Sequence, residues 1–152
     1  MEVGVSVQPL DSLSRLTLLV FRSEQCLSAD GDKITARWGL TSAQWKVMGA
    51  LALADVPLSA AAIGRAMGLS RQAAIKQIHL LVGRGMVEAR PDPADARAPV
   101  HNLTPTGCKA YEAVMAAWRE RAAFLMEGSD AHDFETACAV LEHLIERLGE
   151  KS

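Results

Sequence analysis

The sequence predicts an all-α chain with one small β-hairpin. Three observations carry that expectation. Apolar residues recur at helical spacing over most of the chain, and capping residues punctuate those stretches. Only residues 86–103 read instead as two short strands around a tip rich in Pro and Asp. At 152 residues a single domain is expected, long enough to bury its own core.

Leu10, Leu13, Leu16, Val20 and Leu27 recur at helical spacing, and Leu18, Leu19 and Phe21 widen the stripe. A helix is therefore expected from Leu10 to about Ile34, with Ser28-Ala29-Asp30-Gly31-Asp32 as the place where it could stop. Such a broad apolar face on a terminal helix calls for burial against more than one neighbour. Thr41-Ser42-Ala43-Gln44 has the spacing of a capping box, followed by Trp45, Val47, Met48 and Leu51 and ended by Pro57. Ser59 is expected to cap a short helix to Met67, Gly68-Leu69 to form a tight turn, and Ser70 to cap a second helix to about Arg84. Strands are expected near residues 86–90 and 100–103. Thr104-Pro105 then starts a helix, and Glu127-Gly128-Ser129-Asp130 separates it from a last one.

Composition narrows the function classes. No run of ~18 apolar residues exists, so no membrane span is expected. The start Met1-Glu2-Val3 has no basic stretch ahead of an apolar run, so no secretory signal is expected. Three cysteines, Cys26, Cys108 and Cys138, are too few and odd in number for a disulfide framework, which fits the cytoplasm and buried, inert thiols. Residues 59–110 carry seven basic and three acidic side chains, whereas 111–152 carry four basic and nine acidic, so positive charge gathers in the middle. No Gly-rich phosphate loop, G-x-S-x-G or H-E-x-x-H motif is present, and His79, His101, His132 and His143 lack metal-ligand spacing. A non-enzyme without cofactor or metal is expected.

Two short helices joined by a glycine turn, followed by a hairpin, make a winged helix-turn-helix. On the second helix Ala74, Ile75, Ile78, Leu81 and Val82 fall in one band, opposite Gln72, Lys76, Gln77 and Arg84. Arg71 stands at the N-terminal edge, where such helices meet base edges. Ser70 and the helix N-terminus can hold a backbone phosphate, Gln72 can pair with adenine, and Arg71 and Lys76 can donate to guanine or phosphate. In the hairpin, Asp95 can accept from the Arg97 guanidinium and aim it at a narrow minor groove. The plain structural reading of the same residues is a solvated helix face and a surface ion pair.

From Leu40 to Cys108 the chain resembles the MarR family of bacterial transcription regulators. The matching residues are Leu40-Thr41-x-x-Gln44, Ile63 to Ser70, Leu81-x-x-x-Gly85-Met86-Val87, Arg90-Pro91-Asp92-Pro93-x-Asp95-x-Arg97 and Leu103-Thr104-x-x-Gly107. The resemblance implies a homodimer whose helices at 10–36 and 111–149 interlock, with the winged helix-turn-helix at 41–104. It implies recognition helices in successive major grooves of a pseudo-palindromic operator in double-stranded DNA, and Arg97 in the minor groove. It also implies release by a small aromatic or acidic effector, near which Trp38 and Trp45 would stand; packing of both in the core is the simpler reading. The chain departs from the family at Ala96, where a second wing arginine is common, and at Pro99, Leu80, Ile75 and Val82. The expected function is a dimeric, sequence-specific DNA-binding repressor released by a small ligand. The alternatives are a winged helix that binds protein rather than DNA, and a regulator that senses oxidation through cysteine.

Overall fold

The computed structural model describes residues 9–95 and 97–149. They fall into two units, one ending at Val114 and the other starting at Met115.

The first unit begins with helix α1 (Ser12–Thr35). The Asp11 carboxylate caps it, accepting from Ser14 N at 2.9 Å and Ser14 Oγ at 2.8 Å, and these bonds hold its pKa below the ordinary value. As expected for a helix reaching about Ile34, α1 runs on through Ser28–Asp32, where it could have stopped. Gly31 is buried inside it, and a Cβ there would lie 3.1 Å from Ser42 Oγ, so glycine lets the next helix pass close by. A single 3-10 turn, Ala36–Trp38, then leads to Gly39 in the left-handed region (φ 63°).

Helix α2 (Ser42–Leu53) has the expected capping box: Thr41 Oγ1 accepts from Gln44 N, and Gln44 Oε1 accepts from Thr41 N. Asp32 Oδ1 adds a second acceptor for this helix start, 2.6 Å from Ser42 N. Lys46 Nζ donates to Glu24 Oε1 at 2.8 Å and Ser28 Oγ at 3.1 Å, which ties α2 to α1 and holds the Glu24 pKa low. Val47 and Met48 are fully buried at the centre of the core.

Around α2 pack strand β1 (Leu58–Ser59), helices α3 (Ala60–Met67) and α4 (Arg71–Gly83), and strands β2 (Val87–Arg90) and β3 (Val100–Leu103). The sheet is antiparallel, in the order β1-β3-β2, with Leu58 opposite His101 and Val87 opposite Leu103. The expected hairpin is thus the larger part of a three-stranded sheet. A two-residue strand is too short to show alternation in sequence. Ile63, Ala74, Ile78, Leu81, Met86 and Val87 close the core from this side.

Val82, expected in the inward band of α4, is 40% exposed. The buried line is Ala74, Ile78 and Leu81, and Val82 lies at its edge, rotated by roughly 40–100° from the three at the helical turn of 100° per residue.

Helix α5 (Pro105–Leu125) opens in this unit. Thr104 Oγ1 accepts from Gly107 N at 3.0 Å, while its own O–H donates to Gly85 O at 2.6 Å. Val114 is fully buried.

The second unit holds the rest of α5 and helix α6 (Ala131–Gly149), separated at the expected break, where Gly128 is left-handed (φ 75°). Phe134, Val140, Ile145 and Leu148 of α6 are exposed, as are Leu13, Leu18, Leu19, Phe21 and Leu27 of α1 in the first unit. Among the described residues no helix is long and apolar enough to cross a membrane. All three cysteines are free and exposed, which corrects the expectation of buried thiols.

Candidate nucleic-acid interface

The turn between α3 and α4 is set by two glycines. Gly68 is left-handed (φ 64°) and caps α3 through its N–H to Gly64 O. Gly64 was not singled out from the sequence, yet a Cβ there would stand 2.7 Å from Leu69 O, so any larger residue would push the two helices apart. The clue to it is a small residue one turn before the capping glycine.

Ser70 Oγ accepts from Ala73 N at 3.1 Å and so starts α4. That bond leaves the hydroxyl proton as a donor at the helix N-terminus. Arg71, Gln72 and Lys76 are exposed and Gln77 is half-buried. At steps of four residues Gln72, Lys76 and Leu80 form one stripe along α4, and Arg71, Ile75 and His79 the next. Leu80 is 48% exposed, in keeping with its expected outward position.

The loop between β2 and β3 carries Arg97, which is exposed. Asp92 Oδ1 accepts from Ala94 N at 2.9 Å and Asp95 Oδ1 from Arg97 N at 3.0 Å. Asp95 therefore holds the Arg97 backbone, where its guanidinium was expected. A carboxylate two residues before an N–H favours this local turn, since the backbone donor is already within reach. Ala96 lies outside the described residues. At the base of the loop Glu88 Oε1 accepts from Asn102 Nδ2 at 2.7 Å and from Arg90 Nη2 at 2.5 Å, and both bonds lower its pKa.

One cavity of about 270 Å³ joins the two parts. Arg71, Ile75 and His79 line it from α4, Arg97 and Pro99 from the loop, and His101 from β3. His101 is 5% exposed and its Nδ1 lies 3.1 Å from Leu58 O. Burial pushes its pKa down, the Leu58 bond opposes that, and the nearby His79 adds to the lowering. The sequence marks neither histidine for this cavity. Among the described residues no group of three or more His, Cys, Asp or Glu side chains could hold a metal ion.

Residues 38–98 match the family model of the MarR family. The match spans 61 of the 152 residues and takes in α2, α3, α4, β2 and the loop with Arg97. Its fold has solved counterparts: a MarR/EmrR family transcriptional regulator from Acinetobacter sp. ADP1 superposes with a TM-score of 0.79 at 20% identity, over 93% of this chain and 99% of that one. BpsR of Bordetella bronchiseptica, whose DNA binding is regulated by 6-hydroxynicotinic acid, superposes with a TM-score of 0.73 at 21% identity, over 90% and 97%. PcaV of Streptomyces coelicolor, solved with its natural ligand, does so with a TM-score of 0.69 at 22% identity, over 95% and 99%. By sequence, the uncharacterized protein Rv2011c of Mycobacterium tuberculosis is 29% identical over 104 residues, 68% of this chain and 71% of that one.

The remaining expected residues of the winged helix lie elsewhere. Arg84, expected on the DNA-facing side of α4, donates from Nη1 to Gly39 O at 2.6 Å and from Nη2 to Trp38 O at 2.7 Å. Trp38 and Trp45 are half-buried against the core, and the Arg37 guanidinium lies 4.9 Å from the centre of the Trp38 ring.

Proposed function

We propose that the chain is a homodimeric, sequence-specific DNA-binding transcription regulator of the cytoplasm, acting as a repressor that a small ligand releases. The observation that carries this reading is the meeting of Arg71 and Arg97 at one cavity, beside an exposed Gln72 and Lys76. A helix N-terminus suited to the major groove and an arginine-tipped loop suited to the minor groove thereby share one surface. Ser70 and the α4 N-terminus offer a phosphate contact, and Asp95 shapes the loop that presents Arg97. Exposed apolar side chains on α1 and on α6 support dimerisation, because a monomer would leave large apolar areas in water. Ligand control of DNA binding in BpsR supports a small aromatic or acidic effector here, with Trp38 and Trp45 as candidate neighbours.

The experiment selects duplex fragments retained by the purified chain, then measures their affinity by fluorescence anisotropy over a range of salt. Small acids are then screened for release. A second reading, a winged helix that binds a protein, is favoured only by the exposed Leu80 and Val82 of α4. It predicts association that salt scarcely weakens, and no retained fragment.

A further inference from the structure

The contact that departs most from expectation is the fork of Arg84. Arg84 follows the last residue of α4. Its two Nη nitrogens donate to the consecutive carbonyls of Trp38 and Gly39, which belong to the turn between α1 and α2. A planar guanidinium can serve two neighbouring acceptors at once; a lysine ammonium gives a point contact without that fork. The turn it grips is itself held. Gly39 N donates to Ala36 O at 2.9 Å and Leu40 N to Thr35 O at 3.3 Å. The buried Thr35 hydroxyl lies 2.9 Å from Gly31 O and 2.8 Å from Leu40 O, donating to one at a time. A Cβ on Gly39 would come within 3.6 Å of Arg84 Nη2.

We infer that Arg84 is a positioning residue: it ties the C-terminal end of α4 to the end of α1 and so fixes the direction in which α4 meets DNA. This rests on the function proposed above, in which α1 belongs to the dimer contact. The distance between the two recognition helices then depends on how firmly each α4 is held to its α1. Each Nη gives one N–H to a carbonyl, and in this reading the grip on the turn, not a phosphate contact, is what Arg84 contributes.

The test compares wild type, Arg84→Lys and Arg84→Met, each checked by circular dichroism for retained helix. Affinity is measured against the selected fragment and against fragments with one base pair added or removed between the half-sites, over a range of salt. Hydrogen exchange is followed at residues 36–41 and 83–86. For Arg84→Met the expected results are about tenfold weaker binding to the selected fragment, lost discrimination between spacings, and faster exchange in both segments. The salt slope stays that of wild type, and Arg84→Lys lies between the two. A slope reduced by about 0.9 per phosphate, with equal loss on every fragment, overturns the inference in favour of a phosphate contact. Unchanged affinity and discrimination overturn it in favour of a purely structural bond. If wild type binds no DNA, the functional reading fails; unchanged exchange in Arg84→Met would then also discard the tie itself.

Discussion

Arg71, in the first turn of α4, and Arg97, in the loop between β2 and β3, line the same cavity. The relationship joins the two parts of the chain with the clearest nucleic-acid chemistry, and it makes the loop arginine the sharper one to remove. Arg97→Ala should weaken binding to a selected duplex by about 1–3 kcal/mol. Its thermal unfolding should match wild type, because Asp95 grips the backbone at this position. Anisotropy titration beside a melting curve checks both; unchanged affinity would discard the loop as a DNA contact.

Lys76 is exposed on the same stripe of α4 as Gln72. As a phosphate contact it should lower affinity for all sequences alike when replaced. Lys76→Met should reduce the slope of log affinity against log salt by about 0.9 for each phosphate lost. A change confined to one fragment sequence would instead assign Lys76 to base reading.

Gly107 stands where the start of α5 crosses the chain after α4. A Cβ there would lie 1.9 Å from Met86 O, an atom that already accepts from Thr104 N at 3.0 Å. Both partners are backbone, so neither can swing aside. Gly107→Ala should cost about 3 kcal/mol or more and lower the melting temperature by roughly 6–12 °C. A variant that melts with wild type would show that the α5 start shifts at little cost.

His101 resists protonation in the folded chain, because burial pushes its pKa below the ordinary 6.5. The unfolded chain therefore takes up more protons as the pH falls through about 6.5, so stability declines below that value and levels off beneath the folded pKa. His101→Gln should flatten this decline between about pH 7.5 and 5.5. Denaturant midpoints at the two ends of the range measure it. An equal decline in wild type and variant would place the proton uptake on other groups.

What was legible in the sequence is what short-range chemistry decides. The Thr41–Gln44 box, the Ser59 and Ser70 caps and the Thr104 helix start all formed, since each joins groups three residues apart. The outward polar stripe of α4 followed from helical period alone. What was hidden depends on contacts between distant segments. Gly31 reads locally as a helix breaker, and only its close contact with Ser42 accounts for a glycine inside α1. The Arg84 fork closes on carbonyls 45 and 46 residues earlier, which no local pattern announces. Strand β1 exists because β3 pairs with it, not because Leu58-Ser59 alternates. The cysteines were misplaced because thiols are among the side chains most often buried, a tendency that the helix positions of these three override.

The most direct measurement is the affinity of the purified chain for its selected duplex as salt rises from about 50 to 200 mM, with the stoichiometry followed by sedimentation. Grooves gripped by two copies of the Arg71–Arg97 surface predict a dimer on one duplex and, for six or more phosphates neutralised, a loss of roughly 10³–10⁵ in affinity over that range. A monomer that retains no duplex, or an association that salt leaves unchanged, would contradict the account.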